Sequence, residues 1–337
     1  KLIAELARPF MLEAHPTYVS ASIGATLYPQ DAEDPEQLIK HADQAMYAAK
    51  KAGRNQLHYF TQSMQDAALD RLEMVSKLRY AISARQFQLY YQPIINLKTG
   101  EVHKAEALIR WVHPEDGLLM PSDFISLAEE TGLIREIGQW VFAEAVKQVG
   151  LWRAQLDATF QVSINTSPAH YEGAADSTAI DTWLQQLHAT QTPGEAICIE
   201  ITERLLVDRR AETKNTLQRL RNAHLQVALD DFGTGHSSLA YINRFDIDYL
   251  KIDRSFIQNL QPEANEMALC SAIIIMAHTL GLKVIAEGIE TEQQRALLAA
   301  AGCDYAQGYL FARPLPAEQF AHCIRDFSKA TGRPTPP

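Results

Sequence analysis

The sequence predicts an α/β protein whose larger part is a (β/α)8, TIM-like barrel, with a small α+β segment ahead of it. Three observations carry this reading. From residue 87 onward, short apolar runs alternate with helical stretches, the rhythm of parallel strands joined by crossover helices. About eight such runs fall within roughly 250 residues, the usual size of that barrel. Polar residues recur at the ends of the runs, where a barrel collects functional side chains on one rim. A doubly wound open sheet is the alternative, but no GxGxxG string follows the first run to support it.

The first sixty residues stand apart. Residues 18–27 (YVSASIGATL) alternate like a strand. Asp34 then caps a helix with Pro35 in its first position, and Leu38, Ala42, Met46 and Ala49 recur at helical spacing until Gly53 ends it. Residues 56–60 close the block as a second strand. A polar amphipathic helix follows, both linker and first helix of the next domain. In the larger part, the expected strands are residues 87–95, 102–109, 160–165, 196–201, 226–229, 249–252, 283–286 and 305–306. The expected helices are residues 121–131, 134–156, 178–190, 209–223, 266–280, 291–301 and 316–327. The domains expected are therefore 1–60, a linker at 61–72, a barrel at 73–330 and a tail at 331–337.

Composition narrows the function. Of 337 residues, 47% are hydrophobic and 21% charged, which suits a globular protein with a large core. No apolar run reaches the ~18 residues of a membrane span. The most apolar helix, near 272–282, is interrupted by His278 and Thr279. The opening KLIAELARPF has neither the basic region nor the long apolar run of a signal peptide. We expect a cytoplasmic fragment without membrane contact. Lacking an initiator Met, it is expected to come from a longer protein whose upstream part is free to carry an anchor. The formal net charge of -10 argues against binding a nucleic-acid polymer, whose phosphates need cationic partners. Cys198, Cys270, Cys303 and Cys323 show no zinc spacing and read as free thiols.

The rim residues define a chemistry. Glu106 falls late in the second strand, Asn165 ends the third, and Glu200 nears the end of the fourth. Asp230 and Asp231 follow the fifth, Lys251 lies in the sixth, Glu287 follows the seventh and Gln307 the eighth. Singly, each has a plain explanation. A lone Glu caps or is solvated, Asp-Asp before Phe-Gly-Thr-Gly makes a turn, and a lysine snorkels at the surface. Together they form a coherent set of hard oxygen donors plus one lysine. Glu106, Glu200, Asp230, Asp231 and Glu287 in one pocket would repel and raise one another's pKa values. Divalent cations relieve that conflict, and with Asn165 the all-oxygen set suits two Mg²⁺ or Mn²⁺ ions. Adjacent aspartates suit a bridged pair of ions, the arrangement of phosphoester hydrolysis.

These residues lie in strings that resemble a known family. EALIRW at 106–111 is joined by YQPI at 91–94, IEITE at 199–203, DDFGTGHSSL at 230–239 and LKIDRSFI at 250–257. AEGIET at 286–291 and QGYLFARPLP at 307–316 complete the series. Three letters alone carry nothing, but seven ordered motifs are specific. Across about residues 70–328 the chain resembles the EAL-domain cyclic-di-GMP phosphodiesterases. The resemblance implies a modified barrel with one antiparallel strand and hydrolysis of cyclic di-GMP to linear pGpG. It implies that Glu106, Asn165, Glu200 and Asp230 hold one metal and that Asp230, Asp231 and Glu287 hold the other. Lys251 would contact the attacking water, and Gln307 would hydrogen-bond near it. Gln92, Arg110 and Asp231 would meet the substrate, with Arg110 the natural phosphate partner. Glu203 would steady the loop 232–238, which in the family links the site to a homodimer interface. Glu290 would be secondary. Departures are small: Thr166 stands where a larger aliphatic is common, and His236 where Tyr is usual.

The stretch from Ser22 to Phe60 resembles the C-terminal third of a GGDEF domain, the diguanylate cyclase family. No GGDEF-like string occurs, so no cyclase activity is expected of it. A non-catalytic cyclic-di-GMP receptor is the main competing function. Such receptors usually lose metal ligands or the EAL glutamate, and every such position is filled here. An unrelated metal-dependent barrel hydrolase would explain the carboxylates but not the order of the motifs.

Overall fold

The computed structural model describes residues 1–13, 15–171, 176–207, 211–233 and 245–330. The chain divides into two compact units, Lys1–Tyr80 and Ala81–Pro337. Among the described residues no helix is long and apolar enough to cross a membrane.

The first unit begins with helix α1 (Leu2–Leu6) and an antiparallel pair, β1 (Phe10–Leu12) and β2 (His15–Thr17). The strand expected over 18–27 shrinks to β3 (Ile23–Ala25), the part that pairs in parallel with β4 (Leu57–Tyr59). Helix α2 (Pro35–Lys51) joins them. Its cap is Asp34, whose carboxylate accepts the Gln37 N–H at 3.0 Å. Gly24 is required where α2 crosses β3, because a Cβ there would lie 1.8 Å from the Ala42 carbonyl oxygen. Helix α3 (Gln62–Ser83) includes the expected linker, and the division between units falls within it.

The second unit is an eight-stranded mixed barrel. Its strands are β5 (Phe87–Asn96), β6 (Val102–His113), β8 (Gln161–Asn165), β9 (Ile197–Thr202), β10 (Gln226–Phe232), β11 (Tyr249–Ile252), β12 (Lys283–Ala286) and β13 (Tyr305–Ala306). They pair in the order β5-β13-β12-β11-β10-β9-β8-β6, and β5 pairs again with β6 to close the ring. All neighbours are parallel except β5, which runs antiparallel to both β6 and β13. Two short strands absent from the sequence reading extend the sheet: β7 (Gly117–Leu119) as a hairpin with β6, and β14 (Leu315–Pro316) against β5.

Helices α4 (Pro121–Thr131), α5 (Ile134–Gln155), α6 (Asp176–Thr190), α7 (Glu203–Val207) and α8 (Ala211–Asn222) belong to the first half of the ring. Helices Asn265–Thr279, Glu292–Ala300 and Ala317–Ala330 follow in its second half among the described residues. The short α7 was not foreseen, because five residues show no usable periodicity. Tyr91 packs edge-on against Trp152 at 4.6 Å, and Trp152 also meets Phe160 and Phe320, so one aromatic cluster pins β5 to its flanking helices. Cys198, Cys270 and Cys303 are buried, and no disulfide occurs among the described residues.

One sequence expectation needs correction. Glu106 does not sit late in its strand: β6 continues to His113 rather than ending near 109. Its ladder with β5 runs from Val102 to Trp111, so an antiparallel partner holds β6 extended well past the point where its parallel neighbour β8 ends.

Candidate active site

Side chains two apart on a strand share a face. In the barrel lumen Ile94, Cys198, Ala228, Tyr249 and Ile285 pack into one apolar layer. Two residues further towards one end lie Gln92, Glu200, Asp230, Lys251 and Glu287. The polar rim is thus the next layer above an apolar floor. Below that floor, Tyr249 accepts a hydrogen bond from Lys104 Nζ at 2.7 Å and donates to Gln226 at 2.9 Å. Burial lowers the Lys104 ammonium to about 8.

Lys251 is the centre of the rim. It is 1% exposed, so it is not a surface lysine. Its Nζ lies 2.5 Å from Glu200, 2.6 Å from Glu287, 3.2 Å from Asp230 and 3.6 Å from Glu106. Burial disfavours its charge, but Asp230, Glu106, Glu200 and Glu287 together outweigh burial and hold the ammonium well above its ordinary range. Burial also pushes the Glu200 carboxyl well above the usual range, with Glu106 adding to the effect. Glu287 rises to about 8, by burial first, with Lys251 pulling it down and Asp230 pushing it up.

A glutamine and an asparagine position Glu106. Gln307 Nε2 donates to its Oε2 at 2.7 Å and to Gln92 Oε1 at 3.0 Å, and Asn165 Nδ2 donates to its Oε1 at 2.5 Å. Gln92 is fixed in turn by donating to the Ala312 carbonyl at 3.0 Å. Glu203 accepts the Gly233 N–H at 2.8 Å, at the start of the loop after β10. The remainder of that loop, with His236, lies outside the described residues.

Consecutive aspartates on a regular strand would face opposite ways. Here the register against β11 slips between Leu229 and Phe232, so three steps on β10 oppose two on β11. Asp231 takes φ 54 within this bulge, a left-handed conformation that Asp tolerates better than most residues. Its carboxyl is raised by burial and then by Asp230 and Asp253.

A cleft of about 260 Å³ opens over the rim, and its wall includes Gln92, Glu106, Asp230, Lys251, Glu287 and Gln307. Glu290 also lines it, as do Arg254 and Tyr309, which the sequence reading did not single out. Arg110 is not in this wall. It is 5% exposed, its Nη1 donates to the Ile109 carbonyl at 2.8 Å, and its guanidinium stands 5.5 Å from the Tyr90 ring centroid.

The donor set can be tested for divalent cations. Among the described residues no three carboxylate, histidine or cysteine groups already converge as a metal cluster. Lys251 instead stands between four carboxylates and neutralises only one charge. The buried Glu200 Oε1 and Gln307 Oε1 have no hydrogen-bond partner among the described residues. Buried oxygens are rarely left so. Surplus anionic charge and orphaned oxygens on one rim fit hard divalent cations.

Comparison with known proteins identifies the family. Residues 75–314 match the EAL domain model, and residues 1–56 match that of the diguanylate cyclase GGDEF domain. The chain is 39% identical over 319 residues to the bifunctional diguanylate cyclase/cyclic di-GMP phosphodiesterase MucR of Pseudomonas aeruginosa, covering 95% of this chain and 46% of that protein. It is 38% identical over 330 residues to the cyclic di-GMP phosphodiesterase NbdA of the same organism, covering 97% and 41%. The chain thus spans less than half the length of these curated relatives. The solved PaMucR phosphodiesterase–c-di-GMP complex superposes with a TM-score of 0.69 at 38% identity, over 74% of this chain and 99% of that one.

Proposed function

The chain belongs to the EAL domain family, with a partial GGDEF domain ahead of it, and from that premise we propose that it hydrolyses cyclic di-GMP to linear pGpG. One observation carries the reading. A buried lysine is held by carboxylates from β6, β9 and β10 and from the end of β12, at the base of an open cleft. A core packed only for stability would not gather four carboxylates around one ammonium, because each buried charge costs several kcal/mol to desolvate.

Glu106, Asn165, Glu200 and Asp230 would hold one Mg²⁺ or Mn²⁺ ion, and Asp230, Asp231 and Glu287 a second. Bound there, such ions lower the pKa of a water and offset phosphate charge. The protein's own groups do the rest. Gln307 and Asn165 fix Glu106 through its two oxygens. Lys251, whose carboxylate neighbours favour its ammonium form, donates from Nζ to position the attacking water. Glu203 restrains the backbone after Asp231 through Gly233. Gln92, tied to Gln307, shapes the substrate side of the cleft. We also expect a cytoplasmic homodimer formed through the EAL domain.

Purified protein is mixed with cyclic di-GMP and Mg²⁺, and the products are separated by chromatography. Accumulation of pGpG is the expected result. Binding without turnover would make the chain a receptor, and neither binding nor turnover would overturn the substrate. Light scattering that shows a monomer at every concentration would remove the dimer.

A further inference from the structure

Among the described residues the cleft wall contains two cations, Lys251 and Arg254, against the carboxylates Glu106, Asp230, Glu287 and Glu290. Lys251 is fully engaged by carboxylates. The Arg254 guanidinium makes no hydrogen bond or ion pair with any described residue. Its backbone is nonetheless fixed. It opens the tight turn Arg254–Phe256, which Asp253 caps by accepting the Ser255 N–H at 3.0 Å. Its stem lies against Gly288, where a Cβ would come 2.5 Å from the Arg254 Cβ. Gly288 has φ 71 and directly follows Glu287. A guanidinium without a partner among the described residues is thus anchored beside the reacting rim, in the cleft wall.

The proposed substrate carries two phosphodiesters. One must lie over Lys251 and the carboxylates to be cut. The other enters a cleft whose carboxylates repel it and needs a cation of its own. Arg110, the partner that the family resemblance implies, is 5% exposed, stands over the Tyr90 ring and donates to the Ile109 carbonyl. We propose that Arg254 binds the phosphate that is not cut, as a specificity-determining residue that favours a dinucleotide over a single phosphodiester. The proposal rests on cyclic di-GMP being the substrate.

The test compares the parent, Arg254→Gln and Arg254→Lys on cyclic di-GMP and on bis(p-nitrophenyl) phosphate, which has one phosphodiester. For Arg254→Gln, kcat/KM on cyclic di-GMP is expected to fall about 10- to 100-fold, the size of a lost charge-assisted hydrogen bond. The loss should lie mainly in KM. Arg254→Lys should recover part of it, and the loss on bis(p-nitrophenyl) phosphate should be at least several-fold smaller. An unchanged KM for cyclic di-GMP, or equal losses on both substrates, would overturn the proposal. A parent that cuts bis(p-nitrophenyl) phosphate but neither binds nor cuts cyclic di-GMP would overturn the substrate reading itself, and this proposal with it.

Discussion

Lys251 touches four carboxylates within 3.6 Å, so its substitution separates charge balance from work on the attacking water. Lys251→Met should leave cyclic di-GMP binding nearly intact and slow single turnover by roughly 10²–10⁴, the usual size of general acid–base assistance. A rate within a few-fold of the parent would remove it from the mechanism. Lys251→Arg, an imperfect control because of its wider planar head, should restore activity only if the charge alone matters. Glu287 gives a pH prediction. Its folded carboxyl, at about 8, lies above the usual value, so the metal-free folded state holds a proton that the unfolded chain releases. The stability tied to that proton is present below the ordinary glutamate range and lost as pH rises through 8. The melting temperature of the metal-free protein should fall between about pH 5 and pH 8. Glu287→Gln should flatten that fall by the part Glu287 causes, and an identical slope in the variant would refute the assignment.

At the scale of elements, the glycine after Gln307 matters more than its lack of chemistry suggests. A Cβ on Gly308 would lie 2.0 Å from the Ile289 carbonyl oxygen and 2.3 Å from its nitrogen, backbone atoms that cannot rotate away. Gly308→Ala should therefore part the segments after β12 and β13, costing about 1–3 kcal/mol as overpacking does. It should also lower turnover, because Gln307 would lose its hold on Glu106 and Gln92. Denaturant titration alongside the activity assay checks both, and a parental midpoint would exclude the clash. The β10 bulge is the other such device, since it breaks the alternation that would turn Asp230 and Asp231 to opposite faces. Neither feature is written in hydrophobic periodicity. The glycine reports a close approach only when its neighbour is known, and the bulge depends on the pairing with β11.

For the whole molecule, the surplus of negative charge on the rim sets the expectation for metal removal. Chelation of divalent ions should abolish turnover, and Mg²⁺ or Mn²⁺ should restore it. Ca²⁺, with longer and looser coordination, should support little turnover. Full activity in excess chelator would end the two-metal reading. The rim residues all belong to the second unit.

Local patterns in the sequence were enough for the class of fold, for most of the strand and helix positions, and for the expectation that Glu106, Asn165, Glu200, Asp230, Lys251, Glu287 and Gln307 share one rim. Periodicity and polar run-ends are local signals, and each lies within a few residues of chain. Tertiary structure decided what depends on pairing. The antiparallel β5 holds β6 extended to His113, which moves Glu106 to mid-strand. Ring closure sets the four carboxylates around Lys251 and ties Gln92, Gln307 and Glu106 into one hydrogen-bonded set, though they are far apart in the chain. It also buries Arg110 and leaves Arg254 in the cleft wall. An arginine reads the same in sequence whether its guanidinium stacks on a tyrosine or lines a cleft, because only the packing around it makes the difference.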